Sequence, residues 1–161
     1  MHPLISLSLL ALAPSALAQV NFTLPEVGKP INLNSEAITI AWTVEPASQE
    51  ARDYEFVDIW WHTAAFAYGL KENFTHAAGT NEFVWNATDV RNALLSNNNT
   101  IVGGISWFRL RFHEERGRGS SIDSQNYTVE GYPFVGTGSA GSKVQVGWGI
   151  GLMAGAAFLL L

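Results

Sequence analysis

The stretch Ile105-Ser-Trp-Phe-Arg-Leu-Arg-Phe-His113 decides the fold class. Apolar and polar residues alternate along it with the strand period of two. Phe108, Leu110 and Phe112 fall on one face, and Trp107, Arg109, Arg111 and His113 on the other. A second stretch, Tyr54-Glu-Phe-Val-Asp-Ile-Trp-Trp-His62, repeats the pattern. It sets Val57, Ile59 and Trp61 on one side and Asp58, Trp60 and His62 on the other. Strands with one apolar and one polar face belong to antiparallel sheets that cover a core on one side only.

Outward from these two, the same period recurs. In Glu36-Ala-Ile-Thr-Ile-Ala-Trp-Thr-Val44, one face carries Ile38, Ile40, Trp42 and Val44. Asn81-Glu-Phe-Val-Trp-Asn86 sets Phe83 and Trp85 together, and Gln125-Asn-Tyr-Thr-Val-Glu130 turns Tyr127 and Val129 inward. Residues 22–24 read as a short first strand and 66–73 as a weak edge strand. Residues 89–96 read as one or two helical turns capped by Thr88 or Asp89. Turn clusters lie at 27–30, 78–79, 97–99 and 116–119, the last as the hairpin tip between the final two strands. About seven short strands so punctuated predict an all-β fold, a small antiparallel β-sandwich of immunoglobulin or fibronectin-III type. Trp42 on the second strand suits the fibronectin variant, since the Cys…Trp…Cys spacing of immunoglobulin domains is absent. A small barrel is the alternative architecture.

Charge is unevenly spread. All nine Lys/Arg and all fourteen Asp/Glu lie between Glu26 and Lys143, leaving both ends of the 161-residue chain uncharged. The net charge of −5 argues against nucleic acid as a partner. The absence of Cys excludes disulfides, thiol catalysis and Cys-based zinc sites. Residues 1–18 read as a secretory signal peptide, with an apolar run broken by Pro14 and the cleavage pattern Ala16-Leu17-Ala18. Residues 19–134 form the expected sandwich domain and 135–143 a short linker. Residues 144–161 are an uncharged hydrophobic tail preceded by Gly136-Thr-Gly-Ser-Ala-Gly-Ser142. Small residues, a polar spacer and a terminal apolar run make up a GPI-anchor signal, with Gly138 as the expected attachment residue. A single transmembrane tail is the competing reading. Five of the eleven Asn residues start N-x-Thr sequons: Asn21, Asn73, Asn86, Asn98 and Asn126. Together they predict a secreted glycoprotein on the extracellular face of the plasma membrane or in the cell wall.

The order of motifs also carries a resemblance. Pro25…Gly28, Ile38-Thr-Ile-Ala-Trp42, Val57-Asp-Ile59, Phe83-Val-Trp85, the strand from Trp107 to Phe112 and Tyr127-Thr-Val129 follow one another. Over residues 22–132 this resembles the N-terminal domain of the fungal cell-wall β-1,6-glucan synthesis protein family. It is similar also to the related Ser/Thr-rich GPI-anchored membrane proteins of filamentous fungi. The resemblance implies a small β-sandwich at the fungal surface, linked to wall assembly and without a catalytic residue to carry over. The Ser/Thr-rich stalk of that family is missing here, and 45–52 and 89–99 form longer connections.

Catalytic motifs are absent. The chain has no Gly-x-Ser-x-Gly elbow, no phosphate loop and no His-Glu-x-x-His. Asp58, His62 and His113 are the residues from which a loose N/O metal site would be built, but solvated strand ends are the expectation, with no metal and no cofactor. Glu55, Asp58, Glu82, Glu114, Glu115 and Glu130 offer carboxylates of the type a glycosidase pairs. Acidic residues on a soluble surface are the plainer reading. The constellation singled out is the outward face of the two opening strands: Asp58, Trp60, His62, Trp107, Arg109 and Arg111. Tryptophan rings stack on the C–H faces of sugars while charged groups bond the hydroxyls. A self-satisfied surface, with Arg stacked on Trp, is the competing reading. The expectation is a non-enzymatic, GPI-anchored surface glycoprotein that binds wall polysaccharide such as β-glucan. A small wall-modifying hydrolase or its accessory factor, and a protein-binding adhesin, are the alternatives.

Overall fold

The structure, a computed structural model, describes residues 20–136 apart from Arg116 and Arg118. Residues 1–18, read above as a signal peptide, Gly138, expected there as the attachment residue, residues 144–161, and Arg116 and Arg118 lie outside the described residues. No helix of the described residues is long and apolar enough to cross a membrane.

The period-two segments become strands. In chain order they are β1 (Val20–Leu24), β2 (Ile31–Asn32), β3 (Ile38–Val44), β4 (Phe56–Thr63), β5 (Ala67–Thr75) and β6 (Gly79–Trp85). Then follow β7 (Ile101–Val102), β8 (Ile105–His113), β9 (Gly119–Asp123), β10 (Tyr127–Glu130) and β11 (Val135–Gly136). Helix α1 (Gln49–Asp53) connects β3 to β4, and α2 (Ala87–Ser96) connects β6 to β7. One sheet has the order β1-β3-β6, all antiparallel. The other runs β5-β4-β8, with β9 and β10 following each other along the far side of β8 and β2 adding in parallel to β10. The protein is an all-β, largely antiparallel sandwich.

The two sheets meet through the apolar faces that the alternation defines. Ile40, Trp42 and Val44 of β3, Val57, Ile59 and Trp61 of β4, and Phe108, Leu110 and Phe112 of β8 are fully buried. Trp85 of β6 crosses between the sheets: its ring lies 5.7 Å from Trp61 and 5.9 Å, edge-on, from Phe108. Trp42 meets Phe74 of β5 at 5.7 Å. With no disulfide available, this aromatic packing carries the stability. Tyr127 fastens the closing strand by donating its hydroxyl to the Pro25 carbonyl at 2.9 Å.

The structure departs from the sequence reading in four places. Residues 119–123, not read as a strand, form β9 beside β8, so β9 and not the closing strand is the next strand after β8. The helix after β6 is capped by Asn86, whose Oδ1 accepts the Thr88 N–H at 3.1 Å, rather than by Thr88 or Asp89. An Asn there satisfies an otherwise orphaned helix donor, and the helix starts at Ala87, two residues before the expected 89. The connection 45–52 holds α1, capped by the Ser48 hydroxyl on the Ala51 N–H. Finally, β11 pairs in parallel with β7, so the folded unit reaches Gly136, two residues into the stretch read as linker.

Candidate functional site

Strands β4 and β8 are central and antiparallel, and their register sets the singled-out residues in cross-strand pairs. Asp58 faces Arg111, Trp60 faces Arg109, and His62 faces Trp107. Because side chains alternate, all six sit on the side away from the core. The two strands therefore bring together every residue of the expected face. It is the face turned away from Val57, Ile59, Trp61, Phe108, Leu110 and Phe112 of the core.

The three rings form one tract. His62 stacks on Trp107 with ring centroids 5.4 Å apart and planes 18° from parallel. Trp60 lies 6.5 Å from His62. Its indole spreads over Gly69 of β5, where an added Cβ would lie 3.5 Å from the ring. A glycine at that edge position gives the ring a flat seat. Burial holds His62 below its ordinary pKa of 6.5, and the Arg109 cation adds to this while Asp123 opposes it. The His62 ring is therefore neutral at pH 7 and stacks without carrying charge.

The charged members divide into two engaged groups and one open group. Arg109 donates Nε and Nη2 to the two carboxylate oxygens of Asp123 on β9, at 2.6 and 2.7 Å. This two-pronged bond holds the Asp123 carboxyl below its ordinary 3.8 and pushes Arg109 up. Asp58 is almost fully buried. Its Oδ1 accepts the Asn73 N–H at 2.9 Å and lies 3.1 Å from His113 Nε2. The reason is a bulge: between the pairs Val57–Phe74 and Ile59–Lys71, two residues of β5 oppose Asp58 alone. The bulge leaves Asn73 at φ 50, and Asp58 takes up the amide that the ladder releases. Arg111 is exposed and makes no ion pair among the described residues.

Sequence reasoning did not find Asp123 or the bulge, because both depend on register with strands it could not pair. The metal candidates separate: His113 reaches Asp58, but His62 sits at the other end of β4, opposite Trp107. Among the described residues no group of three or more His, Asp or Glu could hold a metal ion. His76, in the connection between β5 and β6, is half-buried with its ring edge-on to Phe112 at 4.9 Å, and burial lowers its pKa. Glu50 of α1, which the sequence did not single out, is also buried and accepts the Ser120 hydroxyl at 3.1 Å.

Carboxylates gather in one shallow cleft away from the aromatic tract, of about 250 Å³, lined by Arg52, Asp53, Tyr54, Glu55, Glu114 and Glu115. All four acids there are exposed. A cleft of about 310 Å³ lies between Leu24 and Thr39 and is lined by Pro25, Glu26, Lys29 and Ile38 among others. The aromatic tract borders neither.

No protein-family model matches the chain. No curated protein matches it either. Among solved structures, the chain is similar to fibronectin(III)-like modules of CbhA from Clostridium thermocellum. The identity is 15%, with a TM-score of 0.36 over 71% of this chain and 98% of that one.

Proposed function

We propose that the protein is a non-enzymatic, N-glycosylated and GPI-anchored surface module of the fungal wall family it resembles, which binds wall polysaccharide through the β4–β8 face. The supporting observation is the tract Trp60–His62–Trp107: three rings on two rigid central strands, flanked by the open guanidinium of Arg111. A flat face of this kind suits an extended chain of sugars. Rings offer apolar area to the C–H faces, and Arg111 offers donors to hydroxyls. Arg109 and Asp58 support the face instead, through Asp123 and the β5 bulge.

Two experiments test the proposal. A glycan array probed with the purified protein should return β-linked glucans; retention of wall proteins but of no glycan would move the assignment to a protein-binding adhesin. Inositol-specific phospholipase should release the protein from membranes, whereas a spanning tail would hold it there.

A further inference from the structure

A sandwich of two open sheets has four lateral edges. Among the described residues they are β1 and β6 in one sheet, and β5 and the β9–β10 line in the other. β2 covers the last of these only beside Val129 and Glu130. Each edge carries one sequon. Asn21 lies within β1, Asn73 within β5, Asn86 directly after β6, and Asn126 in the break between β9 and β10. All four are exposed, as is the fifth, Asn98, in the turn after α2. The inner strands β3, β4 and β8 carry none.

We infer that the N-glycans at Asn21, Asn73, Asn86 and Asn126 guard the sheet edges against strand-to-strand association with a second copy of this chain, while leaving the β4–β8 face bare. An unpaired edge presents a row of N–H and C=O groups that another strand can join at about 4.8 Å. A hydrated, branched glycan on that edge keeps a second strand from reaching this distance. Charge alone guards these edges unevenly. β1 (Val-Asn-Phe-Thr-Leu) has a register shift between Phe22 and Leu24 but no charged residue, whereas β5 has Lys71, Glu72 and a bulge, and β6 has Glu82. The glycan on Asn21 therefore carries the largest share.

The inference rests on the secretory part of the proposed function, and the experiment separates the two. The full chain is expressed in a eukaryotic secretory host and recovered in mild detergent. Glycans are checked by mass before and after amidase treatment, and molar mass is read by light scattering on a sizing column. The sequons are removed through their threonines, which spares the Asn86 cap and the φ 50 position at Asn73. T23A/T75A/T88A/T128A is expected to run at the mass of a dimer or larger. T100A, which removes only the Asn98 sequon, and the native chain are expected to be monomeric. T23A alone should associate more than T75A alone. Lysine also guards an edge, so T23K/T75K/T88A/T128K, equally free of edge glycans, should return to monomer. No mass change on amidase treatment would overturn both the inference and the secretory reading. Glycans present but a monomeric quadruple alanine variant would overturn the inference alone. So would a lysine variant that associates or misfolds as the alanine variant does, because the sugars would then be serving something other than the edges.

Discussion

The two faces of the β4–β8 pair are built from the same backbone, 8 residues of β4 and 9 of β8, and differ in burial and in chemistry. Inward, Val57, Ile59, Trp61, Phe108, Leu110 and Phe112 are fully buried in one core cluster, and Trp61 and Phe108 meet Trp85 of the other sheet. Outward, Trp60, His62, Trp107 and Arg109 are half-buried and Arg111 is exposed. Aromatic rings on the inner face are already in use as packing. Rings on the outer face keep part of their area uncovered. Residue type alone does not distinguish Trp60 from Trp61; position in the pleat does.

Substitutions can break this contrast or sharpen it. The largest effect is expected at Trp61, which packs against Trp85, Phe66 and Tyr68. Trp61→Ala should destabilise the fold by about 3–5 kcal/mol in urea unfolding. A loss below about 1 kcal/mol, the range of surface changes, would mean that the inner face does not carry the core. Asp58→Ala comes next, at about 1–3 kcal/mol, because it strands the Asn73 amide of the bulge. Chemical shifts of β5 amides should move with it. Breaking the Arg109–Asp123 bond is expected to cost only about 0.2–1 kcal/mol, since both partners are substantially exposed.

The smallest effect is that of pH. His62 and His76 have folded-state pKa values below the ordinary 6.5, so the folded state resists their protonation. Their contribution is complete above pH 6.5 and is lost as pH falls through the folded values. Asp123, held below 3.8, keeps its contribution above that pH and loses it only at stronger acidity. Melting temperature should therefore decline modestly below pH 6.5, and His62→Gln should flatten part of that decline.

The same contrast explains what the sequence made legible. Alternation over 57–62 and 105–113 assigned both faces of both strands, because a period of two is a direct image of the pleat. The outward set came together because the register pairs His62 with Trp107 and Trp60 with Arg109. The two-residue strands β2, β7 and β11 left no trace, as two residues have no period. Asn86 reads as a sequon, and its second role as helix cap needs the backbone to turn there. The roles of Asp58 and Asp123 were hidden for a related reason: each holds a partner fourteen or fifteen residues away, fixed by bulge and register rather than by local pattern.

The most direct test of the outer face is a β-glucan pull-down with Trp60→Ala/Trp107→Ala, run beside a thermal melt. The account predicts that retention is lost while the melting temperature stays close to that of the native protein. Unchanged retention by the folded double variant would contradict it.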